Sequence, residues 1–351
     1  MLKIILAQRP LATAIALALV GGWIAQWLSI PLAWMIGPLL TVGISSMLGL
    51  PLKSPFLGRQ AGQSTVGLAV GLQLTPPVLL FLWQDFWLIV GAGVITVLLG
   101  IPMALLLHRI SKEDAKTCYF SAVPGGLSEM AVLGARYGAQ VEPIAIAQTI
   151  RLAIVVIIIP PTLGLLGITG DALNAPSQAI TVSWPTTLLW VAVAMSASAF
   201  LSLLKASNAW ILGGLLVGLG IALIQQIPLA LPVLMVNLAQ FLLGMGLGVM
   251  FKHEFMTKAP RFIRAAALIV AILMTIAVVF AALIAQLTQH EFGTLLLAFA
   301  PAGVTEMVLT AKELGFEAPM ITAIHLARIL LIVLFAALLF RLTLGRTPPT
   351  R

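Results

Sequence analysis

Two short motifs, Pro124-Gly-Gly-Leu-Ser-Glu-Met130 and Pro301-Ala-Gly-Val-Thr-Glu-Met307, decide the fold of this chain. They start 177 residues apart (301 − 124 = 177), and the same offset relates Arg151 to Arg328 (328 − 151 = 177). Agreement in both residue type and spacing over such a distance indicates that one ancestral unit was duplicated.

The duplication extends over the whole chain. Gln63 and Gln240 match at the same offset of 177 residues (240 − 63 = 177). The sequence therefore predicts a first repeat over residues 1–168 and a second repeat over residues 184–351. The segment between them, residues 169–183, contains glycine, aspartate, asparagine and proline, a composition typical of a linker.

The composition indicates a membrane protein. Of 351 residues, 61% are hydrophobic and 9% are charged, and the mean hydropathy is +1.12, which leaves too little polar surface to cover a soluble globule. Apolar runs of about 20 residues, long enough to cross a bilayer as helix, recur along the chain. The net charge of +8 comes from basic residues that lie singly or in small groups between these runs, a placement typical of cytoplasmic loops rather than of a nucleic-acid interface.

Each repeat reads as six apolar elements. The fifth element of each carries the proline motif, and because proline removes a backbone donor and glycine permits turn conformations, we expect it to be a broken helix. The third element is short and rich in glycine. The expected elements are residues 9–29, 31–49, 60–75, 79–109, 112–137 and 142–167 in the first repeat, and 184–204, 208–227, 232–251, 260–286, 291–313 and 317–341 in the second.

The distribution of the 19 Lys and Arg residues predicts the topology. If all six elements crossed the membrane, 10 would lie inside and 7 outside, with Arg151 and Arg328 within apolar segments. If the fifth element is instead a re-entrant hairpin, 16 lie inside and only Lys312 lies outside, which the positive-inside rule favours. The fold expected is thus an all-α polytopic membrane protein with two inverted repeats, each of five transmembrane helices and a broken helix. Both termini are expected in the cytoplasm.

The two broken helices are the candidate substrate site, because half-helix ends inside a membrane expose N–H groups and positive dipole ends to a ligand. Ionisable groups at such a depth are unfavourable and point to function. The candidate substrate-binding residues are Pro124, Gly125, Gly126, Ser128, Glu129, Arg151, Pro301, Gly303, Thr305, Glu306, Arg328, Gln63 and Gln240.

Several of these residues have a second, purely structural interpretation. Each glutamate could pair with the arginine of its own repeat, Glu129 with Arg151 and Glu306 with Arg328. Gln63 and Gln240 could join helices by hydrogen bonds instead of lining a path. His325, at the position equivalent to Gln148, could equally be a polar lining residue or an interhelical hydrogen-bonding partner.

Enzymatic chemistry is not expected. The four histidines lack Cys, Asp or Glu at metal-ligand spacing, so the sequence predicts no metal site and no cofactor. Cys118, the one cysteine, is expected to be an apolar filler. The expected partners are the lipid bilayer and a small-molecule or ion substrate, without nucleic acid. The sequence does not decide whether the chain forms a homo-oligomer.

The paired motifs and the tandem layout resemble the bacterial membrane AbrB-duplication family. Members of that family also carry the labels "putative ammonia monooxygenase" and "AbrB family transcriptional regulator". The resemblance implies a multi-pass protein of the bacterial cytoplasmic (inner) membrane. The organisation is also similar to that of transporters with inverted repeats and broken helices, although Ala302 stands where the first repeat has Gly125.

Three functions follow as hypotheses. The first is a secondary transporter that moves a small, anionic solute by coupling to an ion. The second is a membrane protein that affects gene expression, directly or through the solute it handles. The third is a membrane enzyme, against which the absence of a metal-ligand pattern in the sequence counts.

Overall fold

The protein is described by a computed structural model that covers residues 2–125, 127–171, 180–206, 208–251 and 260–343, with residues 2–8, 127–129, 132, 333 and 337 described by their backbone only. The helices of the first repeat are α1 Leu2–Trp27, α2 Ala33–Met47, α3 Gly58–Gly71, α4 Pro76–Gln84, α5 Phe86–Ser111, α6 Ala115–Ala122, α7 Leu127–Arg136 and α8 Val141–Leu165. Those of the second are α9 Trp184–Leu203, α10 Ala209–Gln225, α11 Val233–Gly248, α12 Pro260–Leu287, α13 Phe292–Phe299, α14 Val304–Leu314 and α15 Ala318–Thr343. Strands β1 Ile180–Thr181 and β2 Leu229–Ala230 form a short parallel pair.

The long apolar helices confirm a multi-pass membrane protein. Within the described residues, six helices are long and apolar enough to span a bilayer, in α1, α5, α8, α9, α12 and α15. A seventh span is possible if α3 and α4, which meet at an angle of 89°, form one broken crossing. Helices α2, α10 and α11 are apolar but shorter. The five crossings per repeat therefore remain a prediction.

One predicted element is wrong. The expected helix over residues 79–109 is two helices, α4 and α5, which are separated at Asp85. Asp85 leaves the helical conformation, with φ −91° and ψ 13°, and its carboxylate lies 3.3 Å from Nε2 of His290. A carboxylate inside an apolar run is stabilised by such a partner. A prediction based only on the hydrophobicity of the sequence does not identify that partner.

The chain divides into two compact units, and each unit draws on both repeats. One, which we call the glycine unit, comprises residues 1–81, 160–256 and 308–319. The other, the break unit, comprises residues 82–159, 257–307 and 320–351 and contains both proline motifs. Residues 172–179 of the expected linker lie outside the described residues, so the division of the chain into repeats at 169–183 stays a prediction.

Small residues hold α3 against α10 in the glycine unit. A Cβ atom at Gly67 or Gly71 would overlap the carbonyl oxygen of Ile211 or Leu215, respectively, and a Cβ at Gly214 would overlap that of Ser64. Such close approach of backbones increases the van der Waals packing that helps to drive helix association in lipid. Because residue numbers rise together along both helices, α3 and α10 run parallel.

Two further contacts fix the directions of α2 and α11 in the same unit. Gly244 packs against the backbone of Met35, and Gly248 packs against α2 one turn later, so α2 and α11 run parallel. Helix α11 is antiparallel to α3, because Arg59 at the start of α3 reaches Met250 at 3.9 Å whereas Gly62 meets the earlier residue Ala239.

An aromatic cluster anchors the first broken helix in the break unit. Tyr119 and Phe120 of α6 pack on Phe340, with ring centroids 5.3 Å apart in both cases. The Tyr119 hydroxyl donates to the Ala336 carbonyl at 2.9 Å. At the start of α6, the carboxylate of Asp114 accepts from the Thr117 amide at 3.2 Å, a helix N-cap. The end of α6, where the first motif begins, is therefore held in place.

Candidate functional site

The first break follows from the proline in its motif. The residue before a proline is disfavoured in the helical conformation, and Val123 is accordingly extended, with ψ 126°, so that α6 ends at Ala122. The amide of Gly125 then donates to the Val123 carbonyl at 2.8 Å, which closes a three-residue γ-turn around Pro124. The chain re-enters a helix at Leu127, so the expected break is confirmed.

The second break has the same conformation. Ala300 is extended, with ψ 136°, and ends α13 immediately before Pro301. The amide of Ala302 donates to the Ala300 carbonyl, again at 2.8 Å, and α14 begins at Val304. The two motifs therefore produce equivalent backbone structures in spite of the exchange of Gly125 for Ala302.

An arginine binds the exposed carbonyls of each break. Nη1 of Arg151 donates to the Val123 carbonyl at 3.4 Å and Nη2 to the Gly125 carbonyl at 2.9 Å. The last carbonyls of a helix lack intrahelical partners and carry partial negative charge, so a buried guanidinium stabilises them. Arg151 is 4% exposed, so its guanidinium is largely shielded from solvent.

The second arginine repeats this arrangement atom for atom. Nη1 of Arg328 donates to the Ala300 carbonyl at 2.9 Å and Nη2 to the Ala302 carbonyl at 2.5 Å. One of the two interpretations from the sequence was a pair between Arg328 and Glu306 of the same repeat. The hydrogen bonds described for Arg328 go to the main chain of the break and to His325.

Gln148 and His325 support the same half-helix ends. Nε2 of Gln148 donates to the carbonyls of Phe120 and Val123, at 3.0 and 3.1 Å. Nε2 of His325 lies 3.0 Å from the Leu297 carbonyl, the position equivalent to Phe120. Both side chains are fully buried. The interpretation of His325 as an interhelical hydrogen-bonding residue is confirmed, whereas Gln148 had no role in the expected site.

The two breaks share a cleft in the break unit. Pro124 and Pro301 both line it, together with Thr96 and aromatic and aliphatic side chains such as Phe280 and Phe299. Arg151 lies close enough to both Arg328 and Glu306 for their charges to interact. The structure therefore brings together the prolines, both arginines and Glu306, which the sequence places in two separate repeats.

Glu306 lies in the first turn of α14 and is 4% exposed. Its carboxylate folds back over Gly303, so that a Cβ at position 303 would overlap Oε2 of Glu306. A glutamate at the third helical position that reaches back to the residue before the helix is the arrangement found in a capping box. This fold-back explains why glycine stands at 303. Thr305, one residue earlier than Glu306, is also buried.

Some of the expected site residues are not placed at the breaks. Gly126 lies outside the described residues, and so do the side chains of Ser128 and Glu129. Gln63, which is half-buried, and Gln240, which is buried, belong to α3 and α11 of the glycine unit. Within the described part of the chain, no three His, Cys, Asp or Glu side chains cluster as metal ligands would. Assignment of any residue as a solute ligand stays a prediction.

Comparison with known proteins gives the family. The description "Transition state regulatory protein AbrB" belongs to a family that matches residues 34–344, nearly the whole chain. The chain belongs to the AbrB family. This confirms the resemblance seen in the two motifs.

Two relatives of the AbrB family are similar along nearly their full length. "Uncharacterized protein YhjN" of Bacillus subtilis (strain 168) is 28% identical over 93% of this chain and 91% of its own. "Putative regulator AbrB" of Escherichia coli (strain K12) is 25% identical over 87% of this chain and 88% of its own. No solved structure matches the chain.

Proposed function

We propose that this AbrB-family protein is a secondary transporter of a small anionic solute, coupled to a proton or another cation. The observation that carries the proposal is the meeting of Pro124 and Pro301 at one cleft, with Arg151 within range of the charges of Arg328 and Glu306. Broken helices that meet in a membrane protein are a recurrent way to build a solute site. The protein acts without enzymatic chemistry, and its partners are the bilayer and the solute.

The charges at the breaks favour an ion-coupled mechanism. The candidate residues at the two breaks include two arginines, Arg151 and Arg328, and two glutamates, Glu129 and Glu306, a neutral set. A bound monoanion adds one negative charge in a medium where an uncompensated charge is strongly unfavourable. Protonation of one glutamate removes that charge. Glu306, which is buried beside Gly303, is the described residue that fits this role.

We further propose that the two repeats lie in opposite orientations in the bacterial cytoplasmic membrane, with both termini in the cytoplasm. Helix directions in the glycine unit support this arrangement. Helix α2 is parallel to α11, and α11 is antiparallel to α3. Since α3 is parallel to α10, helices α2 and α10 run in opposite directions. These two helices are equivalent elements of the two repeats.

Flux in proteoliposomes tests the transport proposal. Glu306→Gln removes the titratable group and preserves its size, and we expect it to abolish proton-dependent solute flux while the protein remains folded. Glu142→Gln, at an exposed acidic residue in the first turn of α8, is the matched control and should retain flux. Equal flux in wild type and E306Q would refute the role of Glu306, and the absence of flux for every solute tested would refute transport.

A regulatory role is the second candidate, because the family description and the name of the Escherichia coli relative refer to regulators. In this chain, regulation would act through the transported solute or through a protein that binds the basic segment of residues 252–264. Affinity capture with and without that segment distinguishes the two routes. A specific cytoplasmic protein that is captured only with the segment present would favour direct regulation.

A further inference from the structure

Several helix ends of the break unit lie together. The Nε–H of Arg261 donates to the Ile110 carbonyl at 2.8 Å, which places the start of α12 beside the end of α5. The start of α6 follows the end of α5 after three residues, and the Gln140 amide donates to the Thr117 hydroxyl at 3.0 Å. The chain that leaves α7 therefore returns to the start of α6, and α8 begins there at Val141.

The end of α15 joins this group of helix ends, because the Arg341 guanidinium lies 5.8 Å from the centre of the Tyr137 ring, directly after α7. We call the group the basic end, since it carries seven Lys and Arg residues. Among the Lys and Arg residues that the structure describes in the break unit, only Arg151 and Arg328 lie elsewhere. The seven are Arg109, Lys112, Lys116, Arg136, Arg261, Arg264 and Arg341.

Local carboxylates do not neutralise these cations. Glu113, Asp114 and Glu142 lie at the same end and offer three negative charges against seven positive ones. Within the described residues, none of the seven cations forms an ion pair, and Asp114 instead caps α6. Like charges in this proximity repel one another, so negative charges from outside the chain would stabilise the basic end.

Two of the arginines are oriented for an acceptor outside the chain. Arg261 donates through Nε to the Ile110 carbonyl, and Arg264 donates through Nε to the Pro260 carbonyl at 3.2 Å. In the bonds described, both Nη atoms of each residue remain available, and both side chains are exposed. Because the planar guanidinium binds phosphate oxygens in a bidentate manner, a phosphodiester fits these groups.

Exposed leucines accompany the cations along three of the helices. Residues three or four apart lie on the same face of a helix. In each pair the leucine lies farther into the membrane than the arginine, because α5 and α15 end at the basic end whereas α12 begins there. The pairs are Leu105 with Arg109, Leu268 with Arg264, and Leu338 with Arg341, and each leucine is between 44% and 49% exposed.

This arrangement favours a lipid over a soluble acidic partner. Helices α5 and α12 are long and apolar enough to span a bilayer, so the basic end lies at the level of the lipid headgroups. A soluble protein or nucleic acid would contact the cations alone. A phospholipid contacts the cations with its phosphate and the leucines with its acyl chains.

We propose that the basic end of the break unit binds anionic phospholipids of the adjoining membrane leaflet. The phosphodiester accepts hydrogen bonds from Arg109, Arg264 or Arg341, and the acyl chains lie along the leucine that is one turn farther into the membrane. This inference concerns a surface outside the two breaks, and it does not depend on which solute the protein transports.

Native mass spectrometry of the detergent-purified full chain tests the proposal. Phosphatidylglycerol and phosphatidylcholine with identical acyl chains are the competing probes, at equal concentration. Both lipids have a phosphodiester, but only phosphatidylglycerol has a net negative charge. We expect bound phosphatidylglycerol to exceed bound phosphatidylcholine at least fivefold. Equal binding of the two lipids overturns the proposal.

Two soluble competitors identify the source of the phosphate. Glycerol phosphate resembles the headgroup without the acyl chains, and a short DNA duplex carries phosphodiesters on a soluble macromolecule. We expect an excess of either compound to leave the amount of bound phosphatidylglycerol within twofold. Displacement of the lipid by glycerol phosphate or by DNA would show that the cations bind that compound instead, and either result overturns the lipid as the partner.

Charge variants locate the site. The double change Arg264→Gln and Arg341→Gln removes two cations from the basic end, and we expect it to lower the ratio of bound phosphatidylglycerol to phosphatidylcholine at least threefold. Lys53→Gln with Lys205→Gln removes the same charge at exposed positions of the glycine unit and should leave the ratio within twofold. An unchanged ratio in the folded first variant, or an equal loss in both, overturns the site. If the first variant does not fold, Arg109→Gln, at a side chain without a hydrogen bond among the described residues, is measured with the same criteria.

Discussion

Nδ1 of His325 accepts a hydrogen bond from Nη2 of Arg328 at 2.9 Å, while Nε2 of the same ring lies 3.0 Å from the Leu297 carbonyl. A guanidinium can only donate and a carbonyl can only accept, so the two contacts together require the neutral imidazole with its hydrogen on Nε2. His325 therefore connects Arg328 to the end of α13, a link that Gln148 does not make to Arg151 in the bonds described.

The requirement for one donor and one acceptor at His325 predicts how substitutions behave. Glutamine, the residue at the equivalent position 148, offers both groups, and we expect His325→Gln to lower the free energy of unfolding by less than about 1 kcal/mol. His325→Leu leaves the Leu297 carbonyl without this partner and should lower it by about 1–3 kcal/mol. Thermal unfolding in detergent measures both. Equal stability of the two variants would show that the hydrogen bonds are unimportant.

The Glu306 carboxylate occupies the space that a side chain at position 303 would take. Gly303→Ala displaces this carboxylate, which is the flexible end of its side chain, and we expect the loss of its cap-like position to lower the free energy of unfolding by about 1 kcal/mol at most. Gly91→Ala is the control, since a Cβ at Gly91 meets no atom within 4 Å and alanine favours helix. Loss of thermal stability in both variants alike would contradict this explanation.

The close packing of α3 on α10 predicts a large effect at Gly214. Leucine there would force the helices apart, because its Cβ alone overlaps the Ser64 carbonyl oxygen. We expect Gly214→Leu to lower the free energy of unfolding by about 3 kcal/mol or more. Gly220→Leu on the same helix, where a Cβ meets nothing within 4 Å, should be tolerated. Urea or thermal unfolding of both in detergent gives the comparison, and a stable G214L variant would argue against the packing.

The breaks could be predicted from the sequence because their cause is local. Steric conflict with Pro124 or Pro301 excludes the preceding residue from the helical region, whatever surrounds it. The repetition of the motif then indicates that both breaks have one structure. The apolar helices could be predicted for the same reason, because their cause is also local: a long apolar run is what a helix needs to span a bilayer.

The residues that complete the breaks depend on tertiary contacts and were therefore harder to predict. The spacing identifies Arg151 and Arg328 as a matched pair. Every residue has a backbone carbonyl, however, so the sequence alone does not show which carbonyls accept their hydrogen bonds. Asp85 ends a helix at a place where its distant partner, His290, stabilises the carboxylate.

The opposite orientation of the two repeats underlies both the proposed fold and the proposed function. In a Cys118→Ser background, Lys53→Cys and Gln226→Cys place single cysteines at exposed positions in the equivalent loops that follow α2 and α10. Labelling of sealed inside-out and right-side-out vesicles with a membrane-impermeant maleimide measures their sidedness. We predict that position 53 is labelled from the cytoplasmic side and position 226 from the opposite side. Labelling of both positions from the same side would contradict the inverted arrangement.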